Sequence, residues 1–220
     1  MIGNGTEPFA AERFSMVERQ LRQRGIRDER VLAAMYKVPR HEFVNPQDWG
    51  LAYADHPVGI AERQTTSQPY MIAAMIQAAQ IKPEDRVLEI GAGSGYQTAL
   101  LAELASQVFA VERYESLADN ACHALARLGY GNVKVITGDG SLGFAEAAPY
   151  DAIIVSAAAP RVPQALVDQL ARGGRLVVPV GEAQQQVVQL VLRDQEGNIT
   201  VRALEGCRFV PLIGQQGFAA

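Results

Sequence analysis

Three glycines and three acids pose the first chemical question. In "VLEIGAGSGY", Gly91, Gly93 and Gly95 stand between a short apolar run and an apolar helical pattern. A glycine turn from strand to helix lets a ligand approach the backbone at the carboxyl end of a strand. The spacing is G-x-G-x-G, one residue shorter than the dinucleotide fingerprint G-x-G-x-x-G. Glu89 stands two residues ahead of Gly91. A carboxylate there would repel a pyrophosphate and welcome an ammonium group. Together these features favour a nucleoside that carries an amino acid and disfavour a nicotinamide-dependent dehydrogenase. Glu112 ends the next apolar run, "QVFAVE", about 20 residues on, where an acid can accept hydrogen bonds from both ribose hydroxyls. Asp139, in "ITGDG", ends the run after that. It could accept from an adenine amino group or simply serve a turn.

A second group of chemical residues precedes the glycines. "RQTTSQPYMIAAM" sets Thr65, Thr66 and Ser67 before Gln68, Pro69 and an apolar helical pattern. Hydroxyl residues before a proline are ordinary helix-start signals. The expectation is that they cap the helix and that one of them also touches substrate. No histidine and acid stand with Ser67 in a way that would make it a nucleophile. His41, His56 and His123 stand apart from the glycine loop, its acids and the hydroxyl triplet and are expected on the surface or packed.

The elements that must position these residues follow from periodicity. "RVLEI", "QVFAVE", "VKVIT", "YDAIIVSA" and "GGRLVVPV" are short apolar runs alternating with helical patterns, which marks a parallel sheet covered by helices on both faces. "PQALVDQLAR" is expected as the last of those helices. "QVVQLVL" and "NITVRALEG", joined by the turn "DQEGN", read as an antiparallel hairpin. Before them, Phe14, Val17 and Leu21 share one helix face that Gly25 ends, and Asp28 caps a second helix with Val31, Leu32 and Met35 on one face. The organisation expected is a single domain over 1–220: a helical extension and covering loop over 1–80 and a binding core over 81–220.

The 220 residues carry a formal net charge of −4, which argues against a broad basic face for nucleic acid or anionic membrane. No apolar run approaches the ~20 residues that span a bilayer. The N-terminus lacks a signal-peptide pattern. Cys122 and Cys207 lack metal-ligand spacing and are expected as reduced, packed thiols. The expectation is a cytoplasmic protein with no bound metal, no membrane or nucleic-acid partner, acting as a monomer.

Glu89, the glycine loop, Glu112 and "GDG", in this order, resemble the S-adenosylmethionine-dependent methyltransferases of the Rossmann-like class. With "QTTSQPYMIAAM", "APYDAIIVSAAAP", "GGRLVVPVG", "RFVPLIG" and "VPRHEFV" added, the chain closely resembles the protein-L-isoaspartate O-methyltransferase family from about residue 13 to 214. The resemblance implies a doubly wound, mostly parallel seven-stranded sheet. It implies S-adenosyl-L-methionine as donor and S-adenosyl-L-homocysteine as product, and isoaspartyl proteins and peptides as acceptors. It assigns catalysis to Ser67, and donor binding to Thr65, Thr66, Ser67, Glu89, Gly91, Ala92, Gly93, Glu112, Asp139 and Gly140. "HPVGIAERQ" and "RFVPLIG" are expected as groove walls, with Arg208 able to pair with a carboxylate. Two departures stand out. Thr66 replaces the family's usual isoleucine, and Ala61, Glu62 and Arg63 replace a glycine-rich approach. The alternatives are a methyltransferase for another carboxylate acceptor and a donor-binding module without catalysis.

Overall fold

The computed structural model describes residues 8–182 and 185–219. Residues 1–7, the start of the segment without a signal-peptide pattern, lie outside that range. A seven-stranded sheet forms the centre. Its strands are β3 (Arg86–Ile90), β4 (Gln107–Glu112), β5 (Val133–Thr137), β6 (Tyr150–Val155), β7 (Leu170–Glu182), β8 (Gln185–Arg193) and β9 (Ile199–Cys207). A small antiparallel pair, β1 (Val58–Gly59) and β2 (Thr65–Thr66), stands apart from it. The order in the large sheet is β5-β4-β3-β6-β7-β8-β9. The first five of these pair in parallel and the last two join antiparallel. The order reverses between β3 and β6, and a ligand crevice forms at the carboxyl ends of strands at such a point.

Strand alternation divides the core. Val87, Val108, Ala152, Ile154 and Val177 face one cluster, built with α2 (Glu29–Lys37), α3 (Pro69–Ala79), α4 (Tyr96–Leu104) and part of α5 (Glu115–Arg127). Leu88, Phe109, Ile153, Leu176 and Val178 face the other, with Leu166 of α6 (Gln164–Asp168). The first cluster takes in Met16 and Leu21 from the N-terminal helical segment, so that segment shares the core of the sheet.

Several expectations need correction. The first helical segment starts as α1 (Ala10–Ser15) and continues as a π-helical stretch over Met16–Leu21. The wider turn shifts the buried face. Arg13, Met16, Val17 and Leu21 point inward, and Phe14 is 58% exposed. Arg13 pays for its burial by donating to the carbonyls of Tyr36 and Lys37 at the end of α2. Gly25 ends the segment at φ +101, as expected, and Asp28 caps α2 by accepting from Arg30 N–H and Val31 N–H. The helix expected over 163–172 is shorter, because the sheet captures its end. Tyr150 N–H donates to the Gln169 carbonyl, and Leu170 pairs with Tyr150. Cys122 is exposed on α5 and Cys207 is half-buried, so only one of the two thiols is packed. His41 is buried, with Nδ1 2.8 Å from Tyr53 Oη, and His56 and His123 are exposed.

Candidate active site

The glycine loop turns as its composition requires. Gly91, Gly93 and Gly95 hold φ of +87, +55 and +88. The loop is pinned to the tip of β4: Gly91 N–H donates to the Val111 carbonyl at 2.8 Å, and Gly93 N–H to Glu112 Oε2 at 2.8 Å. The other Glu112 oxygen accepts from Tyr114 N–H at 3.0 Å. A carboxylate offers about four acceptor positions, so two remain for a pair of ribose hydroxyls. This donor set fits a nucleoside.

A cavity of ≈300 Å³ opens here, lined by Arg63, Gln64 and Thr65 on one side and by Gly91, Gly93, Glu112 and Gly140 on another. Val210, Pro211, Leu212 and Ile213 form a third wall. The Ala157–Ala159 stretch lets that wall lie close. Ala158 N–H donates to the Val210 carbonyl at 2.8 Å, and Leu212 N–H to the Ala158 carbonyl at 2.7 Å. Parts of both segments expected as walls of the acceptor groove, Arg63 and Gln64 of one and Val210 to Ile213 of the other, line this cavity. Arg113, Tyr114 and Leu117 also line the cavity and were not foreseen. Their one sequence signal is that they follow Glu112 directly.

Glu89 shares the inward face of Val87 and is 0% exposed. Oε1 accepts from Gln97 Nε2 at 3.0 Å and Oε2 from Thr98 Oγ1 at 2.6 Å. Burial pushes its pKa up to about 8; the bonds from Thr98 and Gln97 oppose this, and the Glu112 charge adds to it. A carboxyl held near neutrality by burial gains its charge when a cation arrives. Glu89 also lines a small pocket with Thr65, Thr66, Ser67, Gly91, Ala92 and Gly93.

Ser67 lies on the border of two spaces. It lines that small pocket and also a groove of ≈290 Å³ with Gln68, Met71, Arg208 and Phe209. Its hydroxyl has no hydrogen-bond partner among the described residues. The expected capping role does not hold. The N-cap of α3 is Gln68, without a side-chain cap bond. Asp55 takes that part, since its Oδ1 accepts from Tyr70 N–H at 3.4 Å and its Oδ2 from Gln68 Nε2 at 2.7 Å. Proline at the first helical position holds the residue before it, Gln68, out of the helix, at ψ 133. Further back, Thr65 and Thr66 pair as β2 with Gly59 and Val58. The approach to them is strained, with Glu62 and Arg63 at φ +56 and +55. Glu62 Oε1 accepts from Ser116 Oγ at 2.7 Å, which ties the loop to α5.

Asp139 sits at the tip of β5, but its carboxylate turns to protein partners. Oδ1 accepts from Ser141 N–H (2.9 Å) and Ser141 Oγ (2.7 Å), and Oδ2 from Gln215 N–H (2.8 Å). Burial would raise its pKa, but the bonds from Gln215 and Ser141 outweigh burial and hold the group below the usual carboxylate range. Asp139 thus fastens the segment after Ile213, and its neighbour Gly140 faces the cavity. Among the described residues, no group of three or more His, Cys, Asp or Glu is placed to hold a metal ion, and no helix is long and apolar enough to cross a membrane.

Comparison with known proteins gives the architecture a family. The profile of protein-L-isoaspartate(D-aspartate) O-methyltransferase matches residues 12–217. A protein-L-isoaspartate O-methyltransferase of Koribacter versatilis is 56% identical over 211 residues, covering 96% of this chain and 95% of the relative. One from Methanoculleus marisnigri is 54% identical, covering 96% of each. A solved protein-L-isoaspartate O-methyltransferase superposes with a TM-score of 0.82 at 28% identity, over 93% of this chain and 67% of that one. A candidate protein-L-isoaspartate O-methyltransferase from Plasmodium falciparum, solved with S-adenosyl-L-homocysteine, superposes at 0.79 with 30% identity, over 90% and 97%. The glycine loop with its two acids, the hydroxyl strand before α3 and the C-terminal wall therefore belong to a chain of the protein-L-isoaspartate(D-aspartate) O-methyltransferase family.

Proposed function

We infer that the chain repairs proteins by moving a methyl group from S-adenosyl-L-methionine to the free α-carboxylate of L-isoaspartyl residues. The observation that carries the assignment of roles is the position of Ser67, on both the donor side and the groove. When bound, the donor supplies a methyl group on a positively charged sulfur. Glu112 would hold the ribose, Glu89 the donor ammonium, and the backbone of Gly91, Ala92, Gly93 and Gly140 would face the donor. Thr65 and Thr66 would close the donor side beside Ser67. Asp139 would act on the donor through the segment it fastens.

The acceptor is already a carboxylate at neutral pH, with a free-chain pKa of roughly 3.5 to 4. No strong base is needed. The oxygen forms its bond to the methyl carbon as the carbon–sulfur bond breaks and its electron pair stays on sulfur. Opposite charges cancel and no proton moves. The task left to the protein is alignment and exclusion of water. The Ser67 hydroxyl orients the carboxylate by donating a hydrogen bond. Ala157 keeps the cavity wall apolar, so a charge-neutralising transition state loses little solvation. Arg208 lies exposed on the groove wall, where water screens it and it serves to draw in acidic segments. The ester then loses its alcohol to attack by the next backbone nitrogen, and the succinimide opens partly to normal aspartate without the enzyme.

We infer action as a monomer, an expectation that a sedimentation measurement checks. The core shared by the N-terminal helical segment and the sheet supports a single domain, and two unpaired cysteines support a reducing, cytoplasmic setting. The negative charge supports protein, not nucleic acid or membrane, as partner. The test offers methyl-labelled donor and two peptides that differ only in one aspartyl linkage. Base-labile label on the isoaspartyl peptide alone is the expected result. Equal label on both, or none on either with the donor bound, would overturn the reading.

A further inference from the structure

Arg40 is a charged side chain with 0% exposure, placed where the mechanism above makes no use of it. It opens a short 3-10 turn, Arg40–Phe43, that follows α2. Its Nε donates to the Ala52 carbonyl at 2.8 Å, its Nη1 to Thr66 Oγ1 at 3.3 Å and its Nη2 to the Ser67 carbonyl at 2.8 Å. The guanidinium carbon lies over the Tyr96 ring, 4.6 Å from its centroid. Tyr96 is the first residue of α4, directly after the glycine loop, and is itself fully buried. Arg40 therefore bridges the element that begins at the donor loop and the loop that carries Ser67.

Burying a cation is costly unless its hydrogen bonds are satisfied, and the three partners of Arg40 are all uncharged oxygens. An apolar side chain of similar volume would fill the space without that cost. What only the planar fork supplies is two bonds at a fixed angle. Those two bonds fall on consecutive residues, Thr66 and Ser67. Fixing the Ser67 peptide plane fixes the direction of its Cα–Cβ bond and hence where its hydroxyl can reach. Thr66 takes part through its hydroxyl, which accepts from Arg40 Nη1.

We propose that Arg40 is a positioning residue for methyl transfer, holding Thr66 and Ser67 so that the Ser67 hydroxyl meets the acceptor carboxylate. It touches neither donor nor acceptor. The inference rests on the assignment of Ser67 made above. The donor loop is fixed by other bonds, from Gly91 and Gly93 to β4, so the effect falls on the acceptor side.

The test is a double-mutant cycle on the full chain, with an isoaspartyl peptide as acceptor and S-adenosylhomocysteine as binding probe. Arg40→Lys keeps a charge but lacks the fork. It is expected to lower kcat/KM by on the order of 10²-fold, as misplacement of a reacting group does, with the S-adenosylhomocysteine Kd weakened by no more than about fivefold, because Thr66 touches the donor side while Glu89, Glu112 and the glycine loop keep their own bonds. In a Ser67→Ala background the same change is expected to cost less than about threefold, because residues acting as a unit are non-additive. A purely structural role would multiply the losses, and equal losses in both backgrounds would overturn the proposal. Thr66→Val keeps the side-chain shape and removes one bond. It carries the same cycle if the lysine variant does not fold, with a several-fold loss expected only when Ser67 is present. If the unaltered protein methylates the peptide but Ser67→Ala does so equally well, the Ser67 assignment and the role of Arg40 fall together. If the unaltered protein binds the probe and methylates nothing, the reading beneath both is wrong.

Discussion

Glu89→Gln separates two effects of one buried carboxyl. Burial lifts its pKa from the ordinary 4.5 to about 8. At 1.36 kcal/mol per pH unit, holding the ionised form there costs roughly 5 kcal/mol. A carboxyl with a higher pKa folded than unfolded binds more protons when folded. Its contribution to stability is therefore full below about 4.5 and is lost as the pH rises through about 8. Glutamine has nearly the same shape and carries no charge. The variant should match the parent near pH 5 and exceed it near pH 8 by several kcal/mol, read from urea unfolding without donor. Donor binding should move the other way. An arriving ammonium needs the carboxylate, so a pKa of about 8 implies release of about 0.9 proton on binding at pH 7. Affinity should rise with pH up to about 8 and then level off. Calorimetric titration with S-adenosylhomocysteine in two buffers of different ionisation enthalpy counts that proton. Glutamine should abolish the release and weaken binding on the order of 10²-fold, the loss typical of a buried charge pair. Binding by the parent with no proton released, or a glutamine variant that keeps the pH slope, would refute the electrostatic role given to Glu89.

Three further changes test other joints of the site. Gly95→Ala puts a methyl 3.2 Å from Ala121 Cβ at a φ of +88; a loss of about 2 kcal/mol, or roughly 4–8 °C in Tm, is expected on heating. Arg63→Gly relieves one of two consecutive left-handed residues and should raise stability by about 1 kcal/mol, seen as a Tm higher by a few degrees. Asp139→Ala removes the three bonds that hold Ser141 and Gln215. The C-terminal wall should then admit protease faster, and S-adenosylhomocysteine should bind about tenfold more weakly, a loss of about 1.4 kcal/mol.

The sheet was legible because fully buried strands leave unbroken apolar runs, and the glycine loop because its backbone angles exclude other residues. Strand ends, the glycine spacing and the family resemblance together singled out Glu89, Gly91, Gly93 and Glu112. What escaped was set by contacts between distant segments. A π-helical turn rotated Phe14 outward, a shift of phase that an average 3.6 period cannot register. Asp55, not a hydroxyl of the neighbouring triplet, met the start of α3 from across a loop. Nothing local in the sequence marks the role of Arg40, whose partners lie 12 to 27 positions away.

The clamp on Asp139 carries one more consequence. Asp139 is followed by Gly140, and an aspartyl–glycyl pair offers little steric protection against attack of the glycine nitrogen on the aspartyl side chain. That cyclisation begins the damage this family mends. A carboxyl group held at both oxygens by Ser141 and Gln215 is not free to swing onto its own backbone. The fold thereby slows that cyclisation at one aspartyl–glycyl pair beside the donor site, so the clamp that holds the C-terminal wall also protects the backbone it is built on.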